Sequence, residues 1–241
     1  MSRLYLYAII DHPDIAACVL SPGIAGATVS TLTYAEIAAV ISRLEGDLVI
    51  CEETLWLHEG IVEKLMTEHT VLPVRLNTVV DDEQKLVAVL AQNYQRLLAD
   101  LARVRGKVEL AVRVFWHGRS DRKADARVME RKVPLSSSGT TIGRDYMAMR
   151  LQEERHQQIR RQCAQSVVQV IHGKLSDLAA ESDCKVLATP EQVMTAAYLL
   201  QTDCVGAFGD RVAELAARYP ELRILCTGPW PPYSFVQTRV I

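Results

Sequence analysis

The order of hydrophobic patterns after Gly106 constrains the fold of this chain more than any other sequence feature. Alternating apolar residues predict strands, and apolar residues spaced three and four apart predict helices. The resulting order is strand, helix, strand, strand, helix, strand, over 108–114, 144–180, 184–188, 193–200, 205–219 and 222–227. This βαββαβ order is typical of a ferredoxin-like domain, in which two helices cover one face of an antiparallel sheet. We therefore expect residues 106–241 to form such a domain, with one long helix.

Residues 1–105 show a different pattern and predict a separate domain of strands and helices. Leu4–Ile10 is entirely apolar, which indicates a strand buried on both faces. One helical stripe begins at Thr54, the expected N-cap, and a second follows Asp81-Asp82-Glu83 and ends at Gly106. Further β-rich runs occupy 25–32, 37–41 and 70–74, with a less regular one at 47–51. The fold class is therefore α+β, with two domains over 1–105 and 106–241.

A charged segment over 117–143 precedes the long helix. It has 27 residues, more than the roughly 12–15 of an ordinary loop, so we expect a mobile excursion. Residues 118–161 carry 11 Lys and Arg against 6 Asp and Glu, a net charge of +5, whereas the whole chain has 27 against 29. The basic stretch is either a surface for an acidic partner or a solvated arm. The nearly neutral total argues against nucleic-acid or membrane binding.

The sequence contains no recognisable motif for catalysis or metal binding. His58-Glu59 begins like a zinc-protease motif, but the second His that the motif requires one turn later is Val62. We interpret His58 as a surface residue. The six cysteines include no C-x-x-C pair, and we expect buried, reduced thiols in an intracellular protein. We therefore predict no enzyme activity, catalytic residue, cofactor or metal. Because no apolar run is long enough to span a membrane, we also expect a soluble cytoplasmic protein.

The C-terminal end has the most unusual composition. Thr227–Phe235 holds three prolines and three aromatic residues in nine positions. Proline keeps such a segment extended, and aromatic side chains offer large contact area at low entropic cost. The tail over 228–241 is therefore either folded back on the core or turned towards a partner.

Several segments resemble one known family. The ending Thr227–Val236 is similar to the C-terminal signature of the gas vesicle protein F/L family. His58–Met66, followed by Thr70–Arg75, resembles the motif of its N-terminal domain. Gly143–Tyr146 resembles the entry to its long helix, with Asp in place of Glu, and Ala196–Leu199 resembles its third C-domain strand.

This resemblance implies a non-enzymatic accessory protein of gas vesicle formation, located in the cytoplasm and associated with the vesicle. It implies binding to the small hydrophobic shell protein, gas vesicle protein A, with other accessory proteins as further partners, and a role in nucleation or assembly. It also implies two domains, the second of them ferredoxin-like. The alternative is an enzyme or small-molecule-binding protein built on the ferredoxin-like half, which a buried pocket with convergent polar groups would favour.

We expect the shell protein to contact two segments. The predicted partner-binding residues are Leu72, Pro73, Arg75, Pro229, Trp230, Pro231, Pro232, Tyr233 and Phe235. For the first segment, a bent strand inside the N-terminal fold is the alternative interpretation. For the second, it is a tail that packs on the core.

Overall fold

The computed structural model describes residues 3–11, 22–46, 48–117 and 141–238, and the side chains of the last range from residue 146 onwards. It is a mixed structure with two antiparallel sheets and, in the described residues, four α-helices. The chain forms two compact units. Unit 1 comprises Met1–Glu109, Leu199–Thr202 and Gly228–Ile241; unit 2 comprises Leu110–Tyr198 and Asp203–Thr227. The predicted domain boundary near residue 105 stays a prediction, and the segment from Gly228 onwards lies in unit 1.

The sheet of unit 1 is built around its first strand. Its strands are β1 (Arg3–Ile10), β2 (Val29–Tyr34), β3 (Ile37–Leu44), β4 (Val71–Pro73) and β5 (Val79–Val80). The order is β2-β3-β1-β4, and β5 also pairs with β1. All pairings of β1 are antiparallel, and its residues from Leu4 to Ile10 are fully buried. An apolar strand with neighbours on both edges is thus the centre of the unit, as its sequence predicts.

Two helices pack on this sheet. Helix α1 (Glu52–Met66) contacts β1 and β4, and α2 (Glu83–Val104) contacts β2, β4 and β5. Asp82 is the N-cap of α2 and accepts a hydrogen bond from the Lys85 N–H at 2.7 Å. After the helix, Gly106 has φ +67°, the left-handed conformation that commonly follows a helix end.

The second sheet has four strands. They are β6 (Lys107–Trp116), β7 (Glu181–Val186), β8 (Gln192–Gln201) and β9 (Leu222–Trp230), in the order β7-β8-β6-β9. Helix α3 (Thr141–Ser176) has 36 residues and follows β6, and α4 (Val205–Arg218) lies between β8 and β9 in the chain. Residues 146–159 of α3 are exposed. The predicted order of elements is therefore observed.

Some predicted features are wrong. Residues 48–51 form no strand, and α1 begins at Glu52 with Cys51 as its N-cap. The Thr54 hydroxyl caps from inside the helix instead, since it accepts from the Cys51 N–H at 2.9 Å. The described cysteines are exposed or partly exposed rather than buried. Strand β9 extends three residues beyond its predicted end, to Trp230.

Most of the predicted mobile segment lies outside the described residues, at 118–140, and so does Cys18. Among the helices that the structure describes, none is long and apolar enough to cross a membrane.

Candidate interaction site

Helix α1 has two opposite faces. His58, Ile61, Val62 and Leu65 recur at helical spacing and are buried. They belong to the side that faces the core of unit 1. Trp56, Gly60 and Glu63 follow the same spacing on the other side, about 180° around the axis at 100° per residue. All three are exposed. One face of α1 therefore stabilises the fold, and the other is open.

The C-terminal segment is fastened to unit 1 by hydrogen bonds along its length. The Tyr233 hydroxyl donates to Glu59 at 3.0 Å. The N–H and hydroxyl of Ser234 donate to the two oxygens of Glu109, at 2.8 and 2.7 Å. Further along, the Arg103 guanidinium donates to the Phe235 carbonyl, and the Thr238 N–H donates to Asp100 at 2.9 Å. The segment is thus held in one place by four side chains of unit 1.

The outer face of α1 and this segment enclose a cleft of about 430 Å³. Helix α1 contributes Leu55, Trp56, Glu59, Gly60 and Glu63. The other wall is formed by Glu109, Trp230, Pro231 and Tyr233. Trp56 is 66% exposed, Trp230 40% and Leu55 39%. Two tryptophans and a leucine therefore present apolar surface to solvent around three carboxyl groups.

Burial and repulsion between neighbouring acidic groups raise pKa values in this cleft. The pKa of Glu59 is raised by its burial and, to a smaller extent, by the charge of Glu63, although the bond from Tyr233 opposes this. Burial also raises the pKa of Glu109, against the effect of its two bonds from Ser234. The pKa of the Tyr233 phenol is raised by burial and by the adjacent Glu59. Within the described residues, none of these carboxyl groups forms a salt bridge with Lys or Arg.

Behind α1, a buried polar chain ties the helix to the sheet. His58 Nδ1 lies 2.8 Å from the Tyr5 hydroxyl, and Nε2 lies 3.0 Å from the Val74 carbonyl oxygen. A carbonyl only accepts, so Nε2 carries the proton and Tyr5 donates to Nδ1. The Asn77 N–H in turn donates to Tyr5 at 3.2 Å. Burial lowers the pKa of His58 to about 4, so the imidazole is neutral at physiological pH. The expected surface position of His58 is therefore wrong.

The predicted partner-binding residues fall into two groups. Pro229, Trp230 and Arg75 are exposed, and Tyr233 is partly exposed at the cleft. The remaining five are buried: Leu72, Pro73, Pro231, Pro232 and Phe235.

Sequence reasoning missed the contribution of α1 to this cleft. The signal was present, because the large apolar Trp56 lies on the side of an amphipathic helix opposite its apolar stripe. Gly60 on the same face is unusual inside a helix. As for metals, no group of three or more His, Cys, Asp or Glu side chains in the described ranges is placed to hold an ion.

Comparison with known proteins identifies the family to which this chain belongs. The family model for gas vesicle synthesis protein GvpL/GvpF matches residues 3–237. The chain belongs to the GvpL/GvpF family.

Individual relatives carry both names of the family. Gas vesicle protein L of a Streptomyces species is 28% identical, covering 96% of this chain and 91% of the relative. Gas vesicle protein F2 of Halobacterium salinarum is 26% identical, covering 99% and 94%. The crystal structure of GvpF from Anabaena superposes with a TM-score of 0.74 at 24% identity, over 99% of this chain and 98% of that one. The structure of GvpF from Microcystis aeruginosa gives a TM-score of 0.72 at 21% identity, over 99% and 100%. The fold described above is thus the GvpF fold, and membership of the family indicates an accessory role in gas vesicle formation.

Proposed function

We propose that this GvpL/GvpF-family protein binds the small hydrophobic shell protein, gas vesicle protein A, and assists nucleation or assembly of the vesicle. In this proposal it acts in the cytoplasm at the growing vesicle, and it binds rather than catalyses. The α1 cleft of unit 1 is the contact site. Of the buried predicted residues, Pro231 lines the cleft. Trp230 and Tyr233 contact the partner together with Leu55 and Trp56.

One observation carries this proposal: two exposed tryptophans line a single cleft. An exposed apolar patch of this kind often marks an interaction site, and tryptophan is among the residues that contribute most to binding energy. A hydrophobic shell subunit would aggregate in water if its apolar surface stayed uncovered. A binding partner for it must offer apolar surface without collapsing on itself, and Trp56 and Trp230 do so.

The anchoring of the C-terminal segment supports the same proposal. Ser234 and Thr238 bind carboxylates of unit 1, so Trp230 projects from a segment whose position is already set. Ordering this segment therefore costs less conformational entropy when a partner docks than ordering a free tail would.

We further propose that the C-terminal half is a ferredoxin-like domain. The order β9-β6-β8-β7 supports this, because the first and third strands of the βαββαβ unit are then central neighbours.

The experiment is a pull-down of purified shell protein by the double variant Trp56→Ala, Trp230→Ala. We expect retention to fall at least tenfold while the circular dichroism spectrum stays unchanged, since both side chains are exposed. The matched control removes two exposed leucines of unit 2, in Leu187→Ala, Leu225→Ala. Equal retention by the wild type and the tryptophan variant would contradict the proposed site, and no retention by the wild type would contradict the proposed function.

A further inference from the structure

The cleft of unit 1 is chemically mixed, and this restricts what can occupy it. It is lined by the apolar side chains of Trp56 and Trp230 and by the carboxyl groups of Glu59, Glu63 and Glu109. Both oxygens of Glu109 already accept bonds from Ser234. Glu59 accepts one bond from Tyr233, and neither Glu59 nor Glu63 has a Lys or Arg partner in the part of the chain that the structure describes.

A purely apolar occupant does not suit these carboxylates. It would take Glu59 and Glu63 out of water without supplying a counter-charge, which is costly. A cation removes this cost, because charge-assisted hydrogen bonds to carboxylates are the strong ones. Burial and, to a smaller extent, the charge of Glu63 already raise the pKa of Glu59, and a cation placed beside this group favours its charged form.

Gly60 is the second feature of the cleft that indicates what can occupy it. It lies in the interior of α1, where Gly is among the poorest helix formers. A Cβ built at this position meets nothing within 4 Å, so the fold itself does not require glycine. Its missing side chain leaves open space between Trp56 and Glu63 on the outer face of the helix. This space lies in the wall of the cleft and is open to an occupant.

We propose that the cleft accepts a lysine or arginine side chain of the shell protein, from a segment in which large apolar residues flank the basic one. The aliphatic stem lies over Gly60, and the charged end reaches Glu59 and Glu63 beside the tryptophan rings. Lys and Arg commonly bury their stems on apolar surface with the charge at a polar end, and aromatic faces attract cations. The flanking apolar residues pack on Trp56, Trp230 and Leu55. This inference rests on the proposed function and specifies the chemistry of its partner.

The first test removes the charges without changing shape, in the double variant Glu59→Gln, Glu63→Gln. We expect its affinity for purified shell protein to fall about tenfold or more at 0.15 M salt, and the salt dependence of binding to become shallower. Glu68→Gln, an exposed acid just after α1 and outside the cleft, is the matched control and should bind like the wild type.

The second test fills the space at Gly60. Gly60→Gln replaces a poor helix former with a good one, so Tm should rise by about 2 °C. Binding of shell protein should nevertheless fall about tenfold. Since the variant is more stable than the wild type, weaker binding cannot be attributed to unfolding.

The partner side is tested with shell protein in which each Lys and Arg is changed to Gln in turn. One such change should weaken binding to the wild type tenfold, yet have no effect on binding to Glu59→Gln, Glu63→Gln.

If the tryptophan variant loses binding but both glutamate and Gly60 variants keep it, the occupant is purely apolar and this inference is wrong, while the proposed function stands. If the wild type alone dimerises and Trp56→Ala abolishes the dimer, the occupant is a second copy of this chain. If the wild type does not bind shell protein at all, both proposals are wrong.

Discussion

Two proline-containing segments of unit 1 bury their apolar side chains in different ways. Strand β4 pairs with β1, and both α1 and α2 pack against it, so that Val71 and Leu72 are buried. The segment after Trp230 is instead fastened by side-chain hydrogen bonds from Tyr233 and Ser234. Proline suits both positions, since an edge strand and an extended segment each tolerate the missing N–H. An apolar segment with helices on it becomes core. The C-terminal segment buries Pro231, Pro232 and Phe235 beside its polar anchors but leaves Trp230 exposed.

The first segment should therefore behave as core. Leu72 is 1% exposed, and Leu72→Ala should lower the free energy of unfolding by about 3 kcal/mol, through lost burial and the cavity left behind. Urea denaturation measures this, with Leu187→Ala as an exposed control. Shell-protein binding by the folded variant should be unchanged. A loss below about 1 kcal/mol would mean that β4 is not part of the core.

The buried imidazole of His58, which bonds to the Val74 carbonyl just after β4, makes the stability of the fold depend on pH. His58 has a pKa of about 4 in the fold and an ordinary value near 6.5 when unfolded. Between these values the unfolded chain binds more protons, so stability falls as pH falls from about 6.5 to 4, by about 3 kcal/mol in total. Urea denaturation at pH 7 and pH 4.5 measures this contribution as the difference between the wild type and a His58 variant.

His58→Gln is the variant that isolates the effect. The raised pKa values of Glu59 and Glu109 act in the opposite direction, because these groups bind protons more readily in the fold than when unfolded. They are present in both proteins and cancel in the difference. The variant should be less stable at pH 7 but lose less stability towards pH 4.5. An identical pH dependence in both proteins would contradict the neutral, buried state of His58.

Local sequence patterns predicted most of the helices and strands, whereas contacts between residues far apart in the chain determine the partners of their side chains. The apolar run of β1 and the acidic start of α2 are properties of a few adjacent residues, so sequence sufficed for them. His58 is buried by Tyr5 and Val74, which lie 53 and 16 residues away in the chain. The spacing of His58 with Ile61, Val62 and Leu65 already placed it on the buried face of α1, so the expectation of a surface residue overlooked a local signal. The partners that satisfy its two ring nitrogens could not be read from that pattern, because they lie elsewhere in the chain.

The candidate site follows the same rule. Composition alone identified the C-terminal segment, because its prolines and aromatic residues are adjacent in sequence. The opposite wall of the cleft comes from Trp56 and Gly60, far earlier in the chain. The sequence places them on one helix face, but nothing in it shows that Trp230 lines the same cleft.

The second segment should depend on its anchors. Ser234→Ala removes the hydroxyl bond to the Glu109 carboxylate and should cost about 1.5 kcal/mol, the lower range for hydrogen bonds to charged groups. The effect should be local, with faster hydrogen exchange at the Thr238 amide, whose bond to Asp100 holds the end of the segment. Gln237→Ala, an exposed neighbour, is the control. If exchange stays as slow as in the wild type, the segment is held by packing rather than by its polar anchors.

The smallest effect is expected at Arg75, the residue at which the first segment reaches the surface. Its side chain is exposed, and its backbone carbonyl, which accepts a bond from the Thr78 hydroxyl at 2.7 Å, is unaffected by substitution. Arg75→Ala should therefore change the free energy of unfolding by less than about 0.5 kcal/mol and leave shell-protein binding unchanged, as measured by urea denaturation and pull-down. A cation that binds an apolar shell subunit would have to be desolvated without a counter-charge, which makes Arg75 a poor contact compared with Trp230. Weaker binding by Arg75→Ala would show that both segments contact the partner, because Arg75 is the exposed member of the first.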